Sequence, residues 1–142
     1  MENTLGAFKH AASCGMNMVE CDVHLTKDGQ VVVCHDRDLG RLCGPKYEGR
    51  YVTDFNYLDL PIMQNKISMH LTEGDYNRRD DEDGKFCLLH DLFEQLPDIM
   101  VSVDIKQPDE KLLQKVNELI IKFNREDKIV WGSARNEPHL MA

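Results

Sequence analysis

The order of apolar segments along the chain is the feature that most constrains its fold. Residues 18–25 alternate between apolar and polar side chains, as a β-strand does, and residues 99–106 form a largely apolar strand-like run. Residues 108–123 carry apolar side chains at helical spacing, and a further short strand is predicted at 128–132. Strands separated by amphipathic helices are typical of βαβ units, so we predict an α/β fold with a mainly parallel sheet.

Local signals predict the other regular elements. In chain order these are a helix at about 4–14, a returning strand at 30–35, a helix at 88–96 and a last helix opened by Pro108. Asn3 is expected to cap the first helix, because its side-chain oxygen can accept from a free backbone N–H. The Asp28-Gly29 pair predicts the tight turn of a hairpin. Residues 36–87 carry few regular signals.

Composition narrows the class of protein. The 142 residues include 25 acidic and 17 basic side chains, for a net charge of −8, with 42% hydrophobic residues. This is an ordinary globular composition for one domain, and its acidic balance argues against a nucleic-acid binder. The five cysteines are odd in number and form no CxxC pair, so we interpret them as reduced thiols. We find no targeting segment and no apolar run long enough to span a membrane.

Residues 73–84 form a strongly charged stretch. Such a run is most often a solvated surface loop. An acidic cation-binding loop is the alternative, although the stretch lacks the glycine and terminal glutamate of an EF-hand at their positions.

Charged side chains interrupt strands that should be apolar. Glu20 and Asp22 lie two residues apart, so they share one face of a strand, and Asp104 and Lys106 do the same on another. His35-Asp36 ends the hairpin strand. Unpaired charges are costly in such strands unless a cation joins them. Three acidic oxygen donors suit a hard divalent ion such as Mg²⁺ or Ca²⁺ and leave open positions for phosphate oxygens.

A simpler interpretation remains open. Asp104 and Lys106 would then be an ordinary ion pair, and Glu20 and Asp22 would lie on an exposed edge strand. His24 shares their face, which allows a transition-metal site, but we expect it to be a strand-end residue near water. His35, beside a cluster of carboxylates, is a candidate general acid or base because a histidine pKa lies near neutrality.

Taken together, these motifs resemble the glycerophosphodiester phosphodiesterase domain family. The residues that carry the resemblance are Glu2-Asn3-Thr4, Glu20-x-Asp22, Thr26-Lys27-Asp28-Gly29, His35-Asp36, Leu39-x-Arg41, Val103-Asp104-Ile105-Lys106 and Val130-Trp131-Gly132. Asp104 and the stretch that ends at Trp131 look like the animal branch that acts as lysophospholipase D.

The resemblance implies a fold and a set of roles. The fold is a TIM (β/α)8 barrel with its site at the carboxyl ends of the strands. The implied roles are metal ligation by Glu20, Asp22 and Asp104, acid–base catalysis by His35 as one of two histidines, charge neutralisation at the phosphate by Lys106, and substrate binding by Glu2 and Trp131.

The implied reaction is metal-dependent hydrolysis of a phosphodiester by histidine acid–base catalysis. Its substrates are lysophospholipids or glycerophosphodiesters, and its lysophospholipase D form gives lysophosphatidic acid and the head-group alcohol. The implied location is the cytoplasmic side of intracellular membranes such as the endoplasmic reticulum, with membrane association of the complete protein.

The match also has departures. The family's first catalytic histidine lies in a His-Arg-Gly motif shortly before Glu-Asn-Thr, and a barrel typically takes roughly 250 residues. We therefore interpret residues 1–142 as a partial domain, an N-terminal part of the barrel without the first strand and the C-terminal half. We expect the open sheet edges to allow self-association, and we expect the chain alone to be unstable, oligomeric or inactive.

Two other functions remain open at this point. The chain could be a catalytically inactive truncated form that acts as a binding or interaction module. It could also be a phosphodiesterase similar to sphingomyelinase D, which uses similar metal and histidine positions.

Overall fold

The computed structural model describes residues 1–69, 73–78, 82–106 and 109–132. In this part of the chain the strands are β1 Met18–Leu25, β2 Val31–Val33, β3 Lys66–Ser68, β4 Asp75–Asn77, β5 Cys87–Leu88, β6 Met100–Ile105 and β7 Ile129–Gly132. The α-helices are α1 Leu5–Ser13, α2 Gly40–Cys43, α3 Leu89–Gln95 and α4 Glu110–Lys122. Short 3-10 helices cover Pro45–Tyr47, Val52–Asp54, Tyr57–Asp59 and Glu126–Lys128.

Five strands form one mixed sheet in the order β5-β2-β1-β6-β7. β1, β6 and β7 are parallel neighbours, whereas β2 pairs antiparallel with both β1 and β5. The hairpin follows from Gly29, whose φ of +80° a residue with a side chain rarely adopts. Because β1 lies in the middle of the sheet, the interpretation of Glu20 and Asp22 as residues of an exposed edge strand is wrong.

One face of the sheet packs under the long helices. Alternate residues of β1 and β6 point there, and the apolar sides of α1, α3 and α4 cover them. The buried residues of this core include Phe8, Val23, Leu89, Phe93, Val103, Ile105 and Val116. This core holds β1 and β6 side by side, and residues of the opposite face are therefore fixed in position relative to one another.

The opposite face is covered only in part. The segment 37–67 folds over β2, and Val32 and Cys34 pack there with Leu42 and Val52. Toward β6 and β7 the same face is exposed, as the following apolar side chains show: Met18, Met100 and Val130. The polar residues of β1 and β6 therefore lie at the border between a covered and an open region.

The start of α1 differs from our prediction. Thr4, not Asn3, is the N-cap, and its Oγ1 accepts a hydrogen bond of 3.2 Å from Ala7 N. Asn3 has a φ of +54°, a left-handed conformation that asparagine tolerates better than most residues. The predicted helix start at Pro108 lies outside the described residues, and α4 is capped by the Asp109 side chain, which accepts from Lys111 N.

The middle of the chain contains elements that the sequence did not reveal. β3 and β4 form a separate two-stranded sheet, and β5 adds two residues to the edge of the main sheet. Of the predicted charged loop 73–84, residues 79–81 lie outside the described part, and the remainder is mostly exposed.

The cysteines divide by burial: Cys14 is exposed, and Cys21, Cys34, Cys43 and Cys87 are buried. Within the described residues, none of the helices combines the length and the hydropathy that crossing a membrane requires.

Candidate functional site

Three carboxylates meet on the open side of the sheet. The parallel register places Asp22 directly beside Asp104, and Glu20 lies two residues earlier on the same face. One oxygen from each of the three lies within 4.8 Å of the others. Burial, and then the negative charge of Asp22, raise the pKa of Glu20. The fold therefore concentrates negative charge that needs a positive partner.

Lys106 supplies part of that positive charge. Its Nζ lies 2.8 Å from Asp22 Oδ1 and 2.8 Å from Asp104 Oδ2, so it bridges two carboxylates instead of forming an ordinary pair with one. Burial opposes the charged form of Lys106, but the hydrogen bonds to both aspartates outweigh burial and raise its pKa. The ammonium group stays charged at neutral pH.

Asn3 holds the remaining oxygen of Asp22. Its Nδ2 donates to Asp22 Oδ2 at 2.8 Å, and its Oδ1 accepts from Asp22 N at 3.3 Å. Both oxygens of Asp22 are therefore fixed, one by Lys106 and the other by Asn3, and the residue is 4% exposed. The left-handed backbone of Asn3 brings its side chain to β1.

The arrangement fits a hard divalent cation. Asp104 Oδ1 is buried and has no hydrogen-bond partner among the described residues, so one donor oxygen in the cluster is unpaired. When all are ionised, three carboxylates against the Lys106 ammonium leave two negative charges, which a divalent ion balances. Carboxylate oxygens are the donors that Mg²⁺ and Ca²⁺ prefer.

His24 does not join this cluster. We expected it near water, but that expectation is wrong, because the residue is 2% exposed. Its Nε2 faces the backbone oxygen of His35 at 3.3 Å, and burial lowers its pKa. The segment that follows β2 packs over His24 and buries it, and the alternation of apolar and polar residues in β1 gives no sign of that segment.

A second polar group surrounds His35. Its Nδ1 lies 2.7 Å from Asp36 Oδ1, and Arg41 binds the same carboxylate through Nε at 2.5 Å and through Nη2 at 3.1 Å. The Nη2 group of Arg41 also donates to Glu2, and its Nη1 donates to Ser68 O at 2.7 Å. Burial opposes ionisation of Asp36, but the hydrogen bonds from Arg41 and His35 outweigh it and lower the pKa of Asp36.

Backbone contacts connect the two groups. Cys34 N donates to Asp22 O at 2.8 Å, and His35 follows directly. Glu2 and Asn3 are consecutive, so the first contacts Arg41 while the second contacts Asp22. One narrow cleft is lined by Glu2, Asn3 and His35 together with the apolar residues Val33, Cys34, Leu42, Met63 and Phe86. Glu20, Asp22 and Asp104 do not line this cleft. Asn3 lines it and also binds Asp22, so Asn3 and the backbone contact between Cys34 and Asp22 connect His35 to the carboxylate cluster.

Trp131 is not brought to this region. In the register of β6 and β7, Trp131 pairs with Val103 and Gly132 pairs with Asp104. Because paired residues of neighbouring strands share a face, Trp131 points to the side of the helices, away from the carboxylates. The side chain is 42% exposed there, and its role in substrate binding stays a prediction.

A second group of metal-ligating atoms lies on the surface. His90, Asp91 and Glu94 of α3 bring one ligand atom each within 4.8 Å of one another. His90 Nε2 also lies 3.0 Å from Lys122 Nζ, so a positive charge already faces this group.

Two of the site residues carried no assigned role from sequence. Asp36 and Arg41 belong to the motifs that carry the family resemblance, but their pairing depends on the turn between β2 and α2. Asn3 was assigned to a helix cap. The available signal was Thr4, a second residue that can cap the helix and leaves the Asn3 side chain available for another contact.

Comparison with known proteins identifies the family. Residues 1–132 match the model of the glycerophosphoryl diester phosphodiesterase family. The chain is similar to Lysophospholipase D GDPD1 of Homo sapiens, with 37% identity over 137 residues that cover 96% of this chain and 42% of that protein. The chain therefore spans less than half the length of this relative.

Solved structures give the same result for the fold. The glycerophosphodiester phosphodiesterase of Thermotoga maritima superposes with a TM-score of 0.67 at 31% identity, covering 94% of this chain and 48% of that one. A related structure from Silicibacter pomeroyi gives a TM-score of 0.72 at 17% identity and supports the fold alone, covering 93% of this chain and 52% of that one. The expected partial (β/α)8 barrel is confirmed. The chain belongs to the glycerophosphoryl diester phosphodiesterase family, within its animal lysophospholipase D-like branch.

Proposed function

We propose that the protein hydrolyses phosphodiesters of lysophospholipids or glycerophosphodiesters with the help of a divalent cation, Mg²⁺ or Ca²⁺. The observation that carries the proposal is the convergence of Glu20, Asp22 and Asp104, with the buried Asp104 Oδ1 unpaired among the described residues. Family membership supports the reaction type, since the relatives are named lysophospholipase D and glycerophosphodiester phosphodiesterase.

The residues divide the work as follows. Glu20, Asp22 and Asp104 would hold the ion, and Asn3 and Lys106 keep the Asp22 carboxylate in position for it. The chemistry that a divalent ion supplies at such a site is polarisation of the phosphoryl oxygens.

Lys106 and His35 act on the diester directly in this proposal. The Lys106 ammonium lies at the same cluster and offers a positive charge to a phosphate oxygen. His35 exchanges a proton with the attacking or the leaving oxygen, as one member of an acid–base pair. Glu2 stays close to the substrate path through its contact with Arg41.

The substrate class follows from the relatives' names. With a lysophospholipid, cleavage of lysophospholipase D type releases the head-group alcohol and leaves lysophosphatidic acid. We propose the cytoplasmic face of intracellular membranes, such as the endoplasmic reticulum, as the place where such substrates are met.

A second function is that of a binding module, because the cation ligands Glu20, Asp22 and Asp104 converge in one group and His35 belongs to a separate group with Asp36. A non-catalytic form would bind the cation and the phosphate of a lipid without turning it over. Both functions require metal binding, and only the first requires turnover of the substrate.

Metal binding is tested first, by thermal unfolding in increasing Mg²⁺ or Ca²⁺. A ligand that binds only the folded state adds about 2.7 kcal/mol of stability when present at about 100 times its Kd. We expect the rise in Tm to disappear in Asp104→Asn and to persist in Glu94→Gln, which alters only the surface group on α3. An equal rise in wild type and Asp104→Asn would contradict the proposed metal site.

Hydrolysis is tested by release of choline from lysophosphatidylcholine. We expect release that chelation abolishes and that His35→Gln lowers about 100-fold or more, the usual contribution of a general acid or base. Glycerophosphocholine and sphingomyelin serve as parallel substrates. Cleavage of sphingomyelin alone would favour a sphingomyelinase D-like enzyme, and metal binding without release of any head group would favour the non-catalytic form.

A further inference from the structure

We propose that Asp36, clamped by Arg41, is a positioning residue that fixes the ring orientation and the tautomer of His35. The inference rests on the proposed function in which His35 exchanges a proton with substrate. It assigns a task to two residues that contact neither the carboxylate cluster nor, in the proposed reaction, the substrate.

The contact that determines the tautomer is the one between His35 Nδ1 and Asp36 Oδ1, at 2.7 Å. An ionised carboxylate can only accept hydrogen bonds, so Nδ1 must carry the proton that it donates. In the neutral ring the lone pair is then on Nε2, and Nε2 becomes the nitrogen that takes up a proton. A free histidine ring is not restricted to this form.

Arg41 keeps Asp36 in the orientation and charge state that this requires. Its Nε and Nη2 donate to the two oxygens of Asp36, a two-point contact that fixes the carboxylate plane. The hydrogen bonds from Arg41 and His35 also favour the ionised form of Asp36. Only a planar guanidinium makes such a contact, so lysine could not replace Arg41.

Arg41 is itself held at three further points. Its Nη2 donates to Glu2, its Nη1 donates to Ser68 O at the end of β3, and its backbone lies in α2 beside the buried Leu42. The Arg41 side chain is 16% exposed. Surrounding residues therefore hold Arg41 in place, Arg41 holds Asp36, and Asp36 holds the His35 ring.

A purely structural role for the same contacts predicts something different. Arg41 would then tie the start of the chain, α2 and β3 together, and loss of Asp36 would disturb folding without a specific effect on the His35 ring. The tautomer separates these two roles, because it reports the hydrogen bond at Nδ1 and does not depend on turnover.

The experiment measures the ring ¹⁵N shifts of His35 in the chain at a pH where the ring is neutral, with the signals assigned through His35→Gln. We expect Nδ1 to be protonated in the wild type. In Asp36→Asn the Arg41 contacts favour placing the amide NH₂ toward His35, so we expect the proton to move to Nε2. An analogous aspartate-to-asparagine change in a serine protease triad leaves the histidine in the wrong tautomer.

Two further variants complete the test. Arg41→Gln removes the clamp, and we expect a mixture of both tautomers. Asp91→Asn changes the same His-Asp dipeptide on α3 and should leave the His35 signals unchanged.

Three outcomes would overturn the proposal. They are a wild-type ring protonated on Nε2, an unchanged tautomer in Asp36→Asn, and backbone amide shifts in Asp36→Asn that spread through the chain. A His35 ring with the expected tautomer in a chain without turnover would support positioning and count against hydrolysis by this chain, so the two proposals fail separately.

Discussion

Arg125 is predicted to be a main contributor to stability, although it lies far from the carboxylates. It is 1% exposed in the turn between α4 and β7. Its Nη1 donates to Leu96 O at 2.9 Å and its Nη2 donates to Ile99 O at 2.6 Å. The guanidinium carbon lies 4.7 Å from the centre of the Phe93 ring. One side chain therefore joins this turn to the loop between α3 and β6.

The cost of Arg125→Met can be worked from these contacts. Each of the two carbonyl oxygens left without a partner costs about 1–3 kcal/mol, and loss of the contact with the Phe93 ring costs ~0.5–2 kcal/mol. Burial of the charged guanidinium is itself unfavourable and lowers the pKa of Arg125. Removing the charge therefore recovers part of the stability that is lost with these contacts. We expect a net loss of about 3 kcal/mol in the free energy of unfolding.

The assay is urea unfolding followed by far-UV circular dichroism, with the slope m compared between variants. Lys128→Met is the matched control, because Lys128 also binds this loop, at Pro97 O and Asp98 Oδ1, but is 40% exposed. We expect the control to lose at most about 1 kcal/mol. If the two variants lose equal stability, burial of the guanidinium does not increase the contribution of its hydrogen bonds to the free energy of unfolding.

Three other predictions concern the site and the thiols. Asn3→Gly keeps the left-handed backbone but removes the hydrogen bond to Asp22. We expect the Mg²⁺ or Ca²⁺ affinity measured from Tm shifts to fall about 10–100-fold, as for other groups that orient a metal ligand. An unchanged affinity would refute this role of Asn3. The pKa of Asp36 lies below its ordinary value of 3.8 because the hydrogen bonds from Arg41 and His35 outweigh burial. The ionised Asp36 carboxylate therefore stabilises the fold above pH 3.8, and this stabilisation is lost as the pH falls through the lowered pKa. Unfolding midpoints across the acid range should therefore fall less steeply in Asp36→Asn than in wild type, and parallel curves would contradict the assignment. Cys14 alone should react with a thiol reagent in the folded chain, since the other four cysteines are buried; labelling of a second cysteine before unfolding would show that burial is incomplete.

The sequence was most informative where a pattern is local. The period-two alternation of β1 and the Asp28-Gly29 turn each depend on neighbouring residues, and the strand bounds at 18–25 were predicted as the structure has them. Glu20, Asp22 and Asp104 could be grouped because charges are unusual in central strands and neighbouring parallel strands end together. The prediction needed only a mainly parallel sheet and no exact side-chain contact.

The features that the sequence could not show depend on contacts between distant segments. The side to which Trp131 points is set by the register of β7 against β6, and a shift of one residue reverses it. The burial of His24 depends on a cover that a segment without regular periodicity provides. β3 and β4 are three residues each, too short for alternation to stand out from the surrounding loop.

The pairing of β1 with β6 also determines when the site can form during folding. The two strands are separated in sequence by the hairpin, the irregular middle segment and α3, so their contact closes a long loop. Contacts of this kind are slow to form, because chain entropy is lost before they contribute stability. Asp22 and Asp104 therefore meet only after the sheet has its native order, and a cation held by both would report the native topology and could not guide the earlier steps of folding.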